Sequence, residues 1–239
     1  MSSSVLTSHI SNLRSQNYVI IVAGGSGVRM QSAVPKQFLS LKGKPVVMHT
    51  IEAFYNCSIQ PQIILVLHPD FHSYWEQLCS KYNFKIPHQL VNGGETRFHS
   101  VKKGLDVIPD DADALIAVQD AVRPLTSEQI IIESYKHAAV HGNAVTAVKS
   151  RDSVRQLKND VSASLLRDDI YLIQTPQTFQ SQQIKKAYLQ PYNEKFTDDA
   201  SVVEETGTAI HLVEGSYQNI KITFPEDIAI AECLLKNRS

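Results

Sequence analysis

Cysteine is scarce in this chain. Cys57, Cys79 and Cys233 are odd in number and none stands in C-x-x-C spacing, which argues against a disulfide framework or a cysteine zinc site and fits a reducing cytoplasm. No run approaches the roughly 20 apolar residues that cross a bilayer. Residues 1 to 17 are rich in serine but lack the continuous apolar stretch of a secretory signal, so a soluble, cytoplasmic protein is expected. An excess of one charge is also missing: 23 Lys and Arg against 24 Asp and Glu leave a net charge of −1. That gives no global basic field for a nucleic-acid partner, and any phosphate site must be local. No repeat, low-complexity tract or Pro/Gly-rich linker divides the chain, which reads as a polar extension, 1–17, followed by one domain, 18–239. No Ser-His-Asp or Cys-His pairing stands out, and His9, His49, His68, His72 and His137 read as surface or packing residues.

What is present centres on YVIIVAGGSGVRMQSAVPKQF, residues 18 to 38. Val19 to Val22 form a β-branched run without polar alternation, the pattern of a strand covered on both faces. It breaks at Gly24-Gly25-Ser26-Gly27, where glycine lets successive N–H groups converge on phosphate oxygens. The loop is not a Walker A motif, because Gly-Lys is missing at the required spacing. It matches the dinucleotide fingerprint only in part, since Met30 occupies the third glycine position. A turn with glycines for geometry alone is the plain alternative, and Arg29 with Pro35-Lys36-Gln37 weighs against it.

Beyond the loop, the spacing predicts helices over 45–55 and 71–82, strands at 63–67 and near 88–91, and a second glycine turn at Gly93-Gly94 opening a helix to Ile108. Leu115 to Val118 reads as a strand that delivers Asp120 and Arg123 at its C-terminal end, where open parallel sheets bind ligands. Thr126 with Gln129 reads as a capping box for a helix to His141, followed by a strand at 144–148. This alternation predicts an α/β fold: a doubly wound, mostly parallel, Rossmann-like sheet with helices on both faces. Residues 150–167 depart from it as a protruding β-arm hinged on Asn159-Asp160. Composition leaves the arm equally open to a subunit contact or a solvated loop. A strand over 172–179, helices over 181–189 and 198–206, a strand at 210–213 and a helix opened by Pro225 complete the chain.

The motifs Ala-Gly-Gly-Ser-Gly-Val-Arg-Met with Pro35-Lys36, Gly-Gly-x-x-Arg-x-x-Ser at 93–100, Asp-Ala-x-Arg-Pro at 120–124, Thr-Pro-Gln at 175–177, Thr-Asp-Asp-Ala-Ser at 197–201 and Asn-Ile-Lys at 219–221 together resemble the 2-C-methyl-D-erythritol 4-phosphate cytidylyltransferase family. The match runs in order along nearly the whole chain. Gly24 stands where alanine is common, and Val122 interrupts the usual Asp-Ala-Ala-Arg-Pro; neither change removes a charge.

The resemblance implies a nucleotidyltransferase that joins CTP to a small polyol phosphate and releases pyrophosphate, with Mg²⁺ held mainly by the CTP phosphates. It assigns nucleotide contacts to Ala23, Gly24, Gly25, Gly27, Gly94, Glu95, Arg97, Ser100 and Asp120. Charge stabilisation falls to Arg29, Lys36, Arg167 and Lys221, and acceptor contacts to Asp120, Arg123, Ser153, Arg167, Thr175, Thr197 and Lys221. It also implies a homodimer joined through the arm, which carries Ser153 and Arg167 into the neighbouring site. No nucleic-acid or membrane partner is expected. The alternatives are a ribitol-5-phosphate cytidylyltransferase, similar through the same loops, and a nucleotide-binding module without catalysis.

Overall fold

A computed structural model describes residues 17–23, 34–110 and 112–236. Gly24, Gly25, Gly27 and Arg29, like residues 1–16, lie outside the described residues.

The apolar runs become the middle of a mixed seven-stranded sheet. In chain order the elements are β1 (Asn17–Ala23), the two-residue strands β2 (Ser40–Leu41) and β3 (Lys44–Pro45), α1 (Val46–Tyr55), β4 (Gln62–Leu67), α2 (His72–Lys81), β5 (Gln89–Asn92), α3 (Arg97–Leu105), β6 (Leu115–Asp120), α4 (Glu128–His141) and β7 (Asn143–Lys149). The arm follows as β8 (Arg155–Lys158) and β9 (Val161–Ser164), then β10 (Tyr171–Gln180), α5 (Ser181–Ala187), α6 (Asp199–Glu204), β11 (Leu212–Glu214) and α7 (Glu226–Lys236). The large sheet has the order β11-β7-β10-β6-β1-β4-β5.

Successive residues of a strand point to opposite faces, and here both faces are covered. Val19, Ile21, Leu65 and Ala117 pack beneath Val47 and Ile51 of α1, Trp75 of α2 and Tyr135 of α4. Ile20, Val66 and Val118 pack beneath Phe98, Val101 and Leu105 of α3 together with Ile184 of α5 and Val203 of α6. This is why the strand sequences show no polar alternation. A Cβ at Gly104 of α3 would come within 2.7 Å of Ile20 Cγ2, so glycine there lets the helix sit close on β1.

The order of pairing fixes where a ligand can enter. From β1 the chain steps outward to β4 and β5, all parallel, then α3 returns it to β6 on the other side of β1. The C-terminal ends of β1 and β6 therefore flank a topological switch point, the usual crevice of an open α/β sheet. β10 runs antiparallel to both β6 and β7, and its pairing with β7 slips between Ile173 and Gln177. β11 restores a parallel edge.

Local expectations change at one cap and at several element ends: α5 stops at Ala187 rather than 189, and β11 spans Leu212–Glu214 rather than 210–213. The cap of α4 is Ser127, whose hydroxyl accepts from Ile130 N; Thr126 is instead buried in a polar network described below. The helix expected over 198–206 is shorter, α6 spanning only Asp199–Glu204, with Asp198 and Ser201 forming its capping box. The arm matches its expectation as a hairpin: β8 pairs antiparallel with β9, and Asn159 and Asp160 at φ 48 and 61 form its turn, a conformation asparagine and aspartate tolerate. Leu157, Val161 and Leu166 are each 69% exposed on it.

Candidate active site

A cavity of about 620 Å³ opens at the C-terminal edge of β1, β4, β5 and β6. Val22 and Ala23 bring the end of β1 to it, His68 and Pro69 the end of β4, Gly93 to Arg97 the β5–α3 turn, and Asp120 and Val122 the end of β6; Lys36, Gln37, Lys103 and Lys221 complete the described lining.

Each wall is built by local chemistry. Gln37 is buried and its Nε2 donates to Ala23 O at 2.9 Å, tying the Pro35-Lys36-Gln37 segment to the end of β1. In the β5–α3 turn, Thr96 caps α3 by accepting from His99 N. A Cβ on Gly94 would fall 2.5 Å from His99 Cβ, so the turn closes only with glycine there. Ser100 is 1% exposed; its Oγ accepts from Gly94 N at 3.0 Å, and Lys103 Nζ donates to Gly93 O at 2.8 Å. Ser100 thus braces the loop rather than lining the cavity.

The charged floor is organised around Asp120. Its Oδ2 lies 2.9 Å from Lys221 Nζ and 3.4 Å from Arg123 Nε, and its Oδ1 lies 3.8 Å from Arg97 Nε. Burial alone would raise the carboxyl pKa, but Lys221, Arg97 and Arg123 outweigh it and hold Asp120 well below the usual carboxylate range. Its backbone N–H donates to Thr175 Oγ1 at 3.0 Å. Arg123 Nη1 donates to Asn219 O at 2.7 Å, and Asn219 Nδ2 donates to Thr175 O at 2.9 Å. Gln119 Nε2 donates to Thr126 Oγ1, which lies 2.9 Å from Asn219 Oδ1. These buried bonds fix the strand end, the Asp-Ala-Val-Arg-Pro turn and the segment that presents Lys221. Lys221 itself is held by the next residue, since Ile222 N donates to Val122 O.

Arg97 leads α3 with a second anchor. Its Nη1 and Nη2 donate to Asp199 Oδ1 and Oδ2 at 2.9 and 2.5 Å, while Tyr188 OH donates to Oδ1 at 2.6 Å. Asp199 is fully buried, whereas the Arg97 side chain keeps 29% of its surface exposed. Burial opposes the Arg97 charge, but Asp199 and Asp120 more than offset it and raise its pKa above the ordinary value.

Of the residues singled out from the sequence, the structure gathers Ala23, Lys36, Gly94, Glu95, Arg97, Asp120 and Lys221 on one cavity. It sets Ser100, Arg123 and Thr175 immediately behind that cavity through the bonds above. Thr197 is exposed beside the capping box of α6, its N–H donating to Ser201 Oγ. Ser153 and Arg167 are exposed on the arm and do not line the cavity of their own chain; Arg167 has Asp168 as an ion-pair partner at 3.8 Å. Asp199, Tyr188, Lys103 and Asn219 are not singled out by the sequence, and His68, expected among surface or packing residues, lines the cavity. Asp199 and Asn219 stand inside quoted motifs, which was the available signal.

Because the folded-state pKa of Asp120 is depressed, its stabilisation is present above the unfolded value of about 4 and is lost as pH falls through the lower folded value. Asp120→Asn should destabilise the protein by about 3 kcal/mol at neutral pH, since it strips buried Arg123 and the part-exposed Arg97 and Lys221 of their shared partner. The gap to wild type in denaturant titrations should stay flat above about pH 5 and narrow below about pH 4. A gap that instead narrows between pH 6 and 8 would contradict the assigned charge state.

Known proteins resemble this chain over nearly its whole length. The model of the family described as IspD: 2-C-methyl-D-erythritol 4-phosphate cytidylyltransferase matches residues 17–237. The 2-C-methyl-D-erythritol 4-phosphate cytidylyltransferase of Phocaeicola vulgatus is 46% identical over 218 residues, covering 91% of this chain and 99% of its own length. That of Azobacteroides pseudotrichonymphae is 47% identical over 221 residues, covering 92% and 99%. Among solved structures, the 4-diphosphocytidyl-2C-methyl-D-erythritol synthase of Anaerococcus prevotii superposes with a TM-score of 0.80 at 28% identity, over 95% of this chain and 99% of that one. The Francisella tularensis 2-C-methyl-D-erythritol 4-phosphate cytidylyltransferase does so at 0.76 and 32%, over 92% and 100%. With its mixed α/β sheet, its charged switch-point cavity and a family match over nearly its full length, the chain belongs to the 2-C-methyl-D-erythritol 4-phosphate cytidylyltransferase family, whose members are nucleotidyltransferases.

Proposed function

We propose that the chain transfers the cytidylyl group of CTP to 2-C-methyl-D-erythritol 4-phosphate, releasing pyrophosphate and forming 4-diphosphocytidyl-2-C-methyl-D-erythritol. The observation that carries this reading is the composition of the cavity wall: Lys36, Arg97, Lys103 and Lys221 against Glu95 and Asp120, at the switch point of the sheet. A phosphomonoester has a second pKa of about 6 and reaches the site largely as a dianion, so the nucleophile needs no general base. What the reaction needs is alignment of two polyanions and relief of their repulsion, which fixed cations supply.

In this reading Ala23 and the glycines after it, Gly24, Gly25 and Gly27, cradle the triphosphate, with Arg29 and Lys36 at the α-phosphate. Gly94, Glu95 and Arg97 face the nucleoside, and Ser100 acts by holding the Gly94 backbone in place. Asp120 and Arg123 form the floor. Thr175, Thr197 and Lys221 serve the acceptor, joined by Ser153 and Arg167 from the arm of a second subunit. For Mg²⁺, the described residues contain no cluster of three or more His, Cys, Asp or Glu able to hold a metal, and Asp120 already faces three cations. That donor set fits an ion carried chiefly by triphosphate oxygens, with Asp120 the buried carboxylate in the described lining of the cavity. Such an ion would neutralise charge on the phosphates. Among the described residues no helix is long and apolar enough to cross a membrane.

Pyrophosphate release from CTP with each acceptor tests the assignment: turnover is expected with 2-C-methyl-D-erythritol 4-phosphate, and activity confined to ribitol 5-phosphate, or CTP binding without turnover of either, would overturn it. Losing one charge-stabilising group commonly costs on the order of 10²- to 10³-fold in rate. Lys36→Ala should therefore depress kcat, and Lys221→Ala should in addition raise the acceptor KM. Near-wild-type kinetics for Lys36→Ala would refute its role.

The arm supplies a second test. Leu157, Val161 and Leu166 stand exposed on an isolated hairpin, and burying them needs another surface. If Arg167 crosses to a neighbour, mixing Arg167→Ala with Lys36→Ala under subunit exchange should restore activity. Each heterodimer would then hold one site with both defects and one with neither. Exchanged heterodimers that remain as inactive as their parents would rule out action in trans.

A further inference from the structure

Arg97 has two anions within reach, and the geometry shows which one holds it. Asp199 receives both prongs of the guanidinium at 2.9 and 2.5 Å, whereas Asp120 stands 3.8 Å from Nε. A planar guanidinium prefers a two-pronged grip on a carboxylate. Released from Asp199, it would take Asp120 in the same way, and Asp120 would be drawn from Lys221, now 2.9 Å away. Asp199 cannot swing to follow, because it is fully buried at the start of α6 and its Oδ1 also accepts from Tyr188 OH. Tyr188 is in turn stacked on Phe98, the residue after Arg97, with ring centroids 4.7 Å apart.

We propose that Asp199, backed by Tyr188, is a positioning residue for cytidylyl transfer that acts through Arg97: it parks the guanidinium on the nucleotide wall and so reserves Asp120 for Lys221 and Arg123. The inference rests on the functional reading above and adds to it a link between the two substrate sides. The Thr-Asp-Asp-Ala-Ser segment, which carries Thr197 on the acceptor side, thereby sets the charge that faces the nucleotide.

The test is a double-mutant cycle in steady-state kinetics with CTP and 2-C-methyl-D-erythritol 4-phosphate, accompanied by thermal melts. Asp199→Asn should lower kcat/KM for CTP by roughly 10- to 100-fold, the scale of a misplaced positioning contact. Arg97→Lys, which keeps the charge and loses the fork, should lower it by a similar factor, and the double variant should be no worse than either single one. Losses that multiply would overturn the proposal, because Asp199 would then act independently of Arg97. Tyr188→Phe keeps the ring stacking and both charges, so it should fold and lose several-fold in the same parameter. If Asp199→Asn does not fold, the cycle between Tyr188→Phe and Arg97→Lys decides by the same criterion. Absence of turnover by the wild-type protein would bring down the functional reading, and the cycle repeated on CTP affinity by calorimetry then judges Asp199 by the same non-additivity.

Discussion

One carboxylate shared among three cations is the constraint on which the rest of this structure depends. Arg97, Arg123 and Lys221 would repel one another if brought to one strand end without Asp120, and Asp120 could not stay ionised with 11% of its side chain exposed without them. The fold therefore supplies the surroundings that keep the group fixed. β6 ends at Asp120, Thr175 of β10 takes its N–H, Asn219 ties Thr175 to Arg123, and Asp199 holds Arg97 from the far side. The antiparallel insertion of β10 between β6 and β7 makes sense in these terms, because it brings Thr175 alongside Asp120 and leads the chain on to Asp199.

A cluster of this kind is suited to substrates that are both anionic. A free lysine in water would lose entropy and exchange hydration when phosphate arrives, whereas a cation already oriented by buried partners does so at little reorganisation. Asp120 offsets the excess positive charge of the cluster and also orients Lys221. The apolar faces of the sheet contribute indirectly. They are packed tightly enough, as at Gly104 against Ile20, to hold the ends of β1 and β6 in fixed register.

Much of this was legible from residues alone. Continuous β-branched runs predicted strands buried on both faces, and Ile20 and Ile21 pack on opposite cores. Asn159-Asp160 predicted a hairpin because few residues accept positive φ, and both do here. The misses at Asp199 and Thr126 share one physical cause, the dependence of a side chain's role on a partner distant in the chain. Arg97 and Asp199 are 102 positions apart, and no local pattern announces a buried ion pair of that span. Thr126 has the composition of a cap, but the Gln119–Thr126–Asn219 network claims it and leaves the cap to Ser127. The miss at His68 has a different cause: nine histidines are scattered along the chain, and no pattern separates His68, which lines the cavity, from the others.

Buried partners hold the charged floor assembled before substrate arrives. The most direct measurement is a pair of crystal structures of this protein, free and with CTP. The Arg97–Asp199 and Asp120–Lys221 pairs should keep their partners in both, with the nucleotide filling the cavity between Lys36 and the Gly94 turn. A complex in which Arg97 leaves Asp199 to bind phosphate, or in which CTP lies away from this cavity, would contradict it.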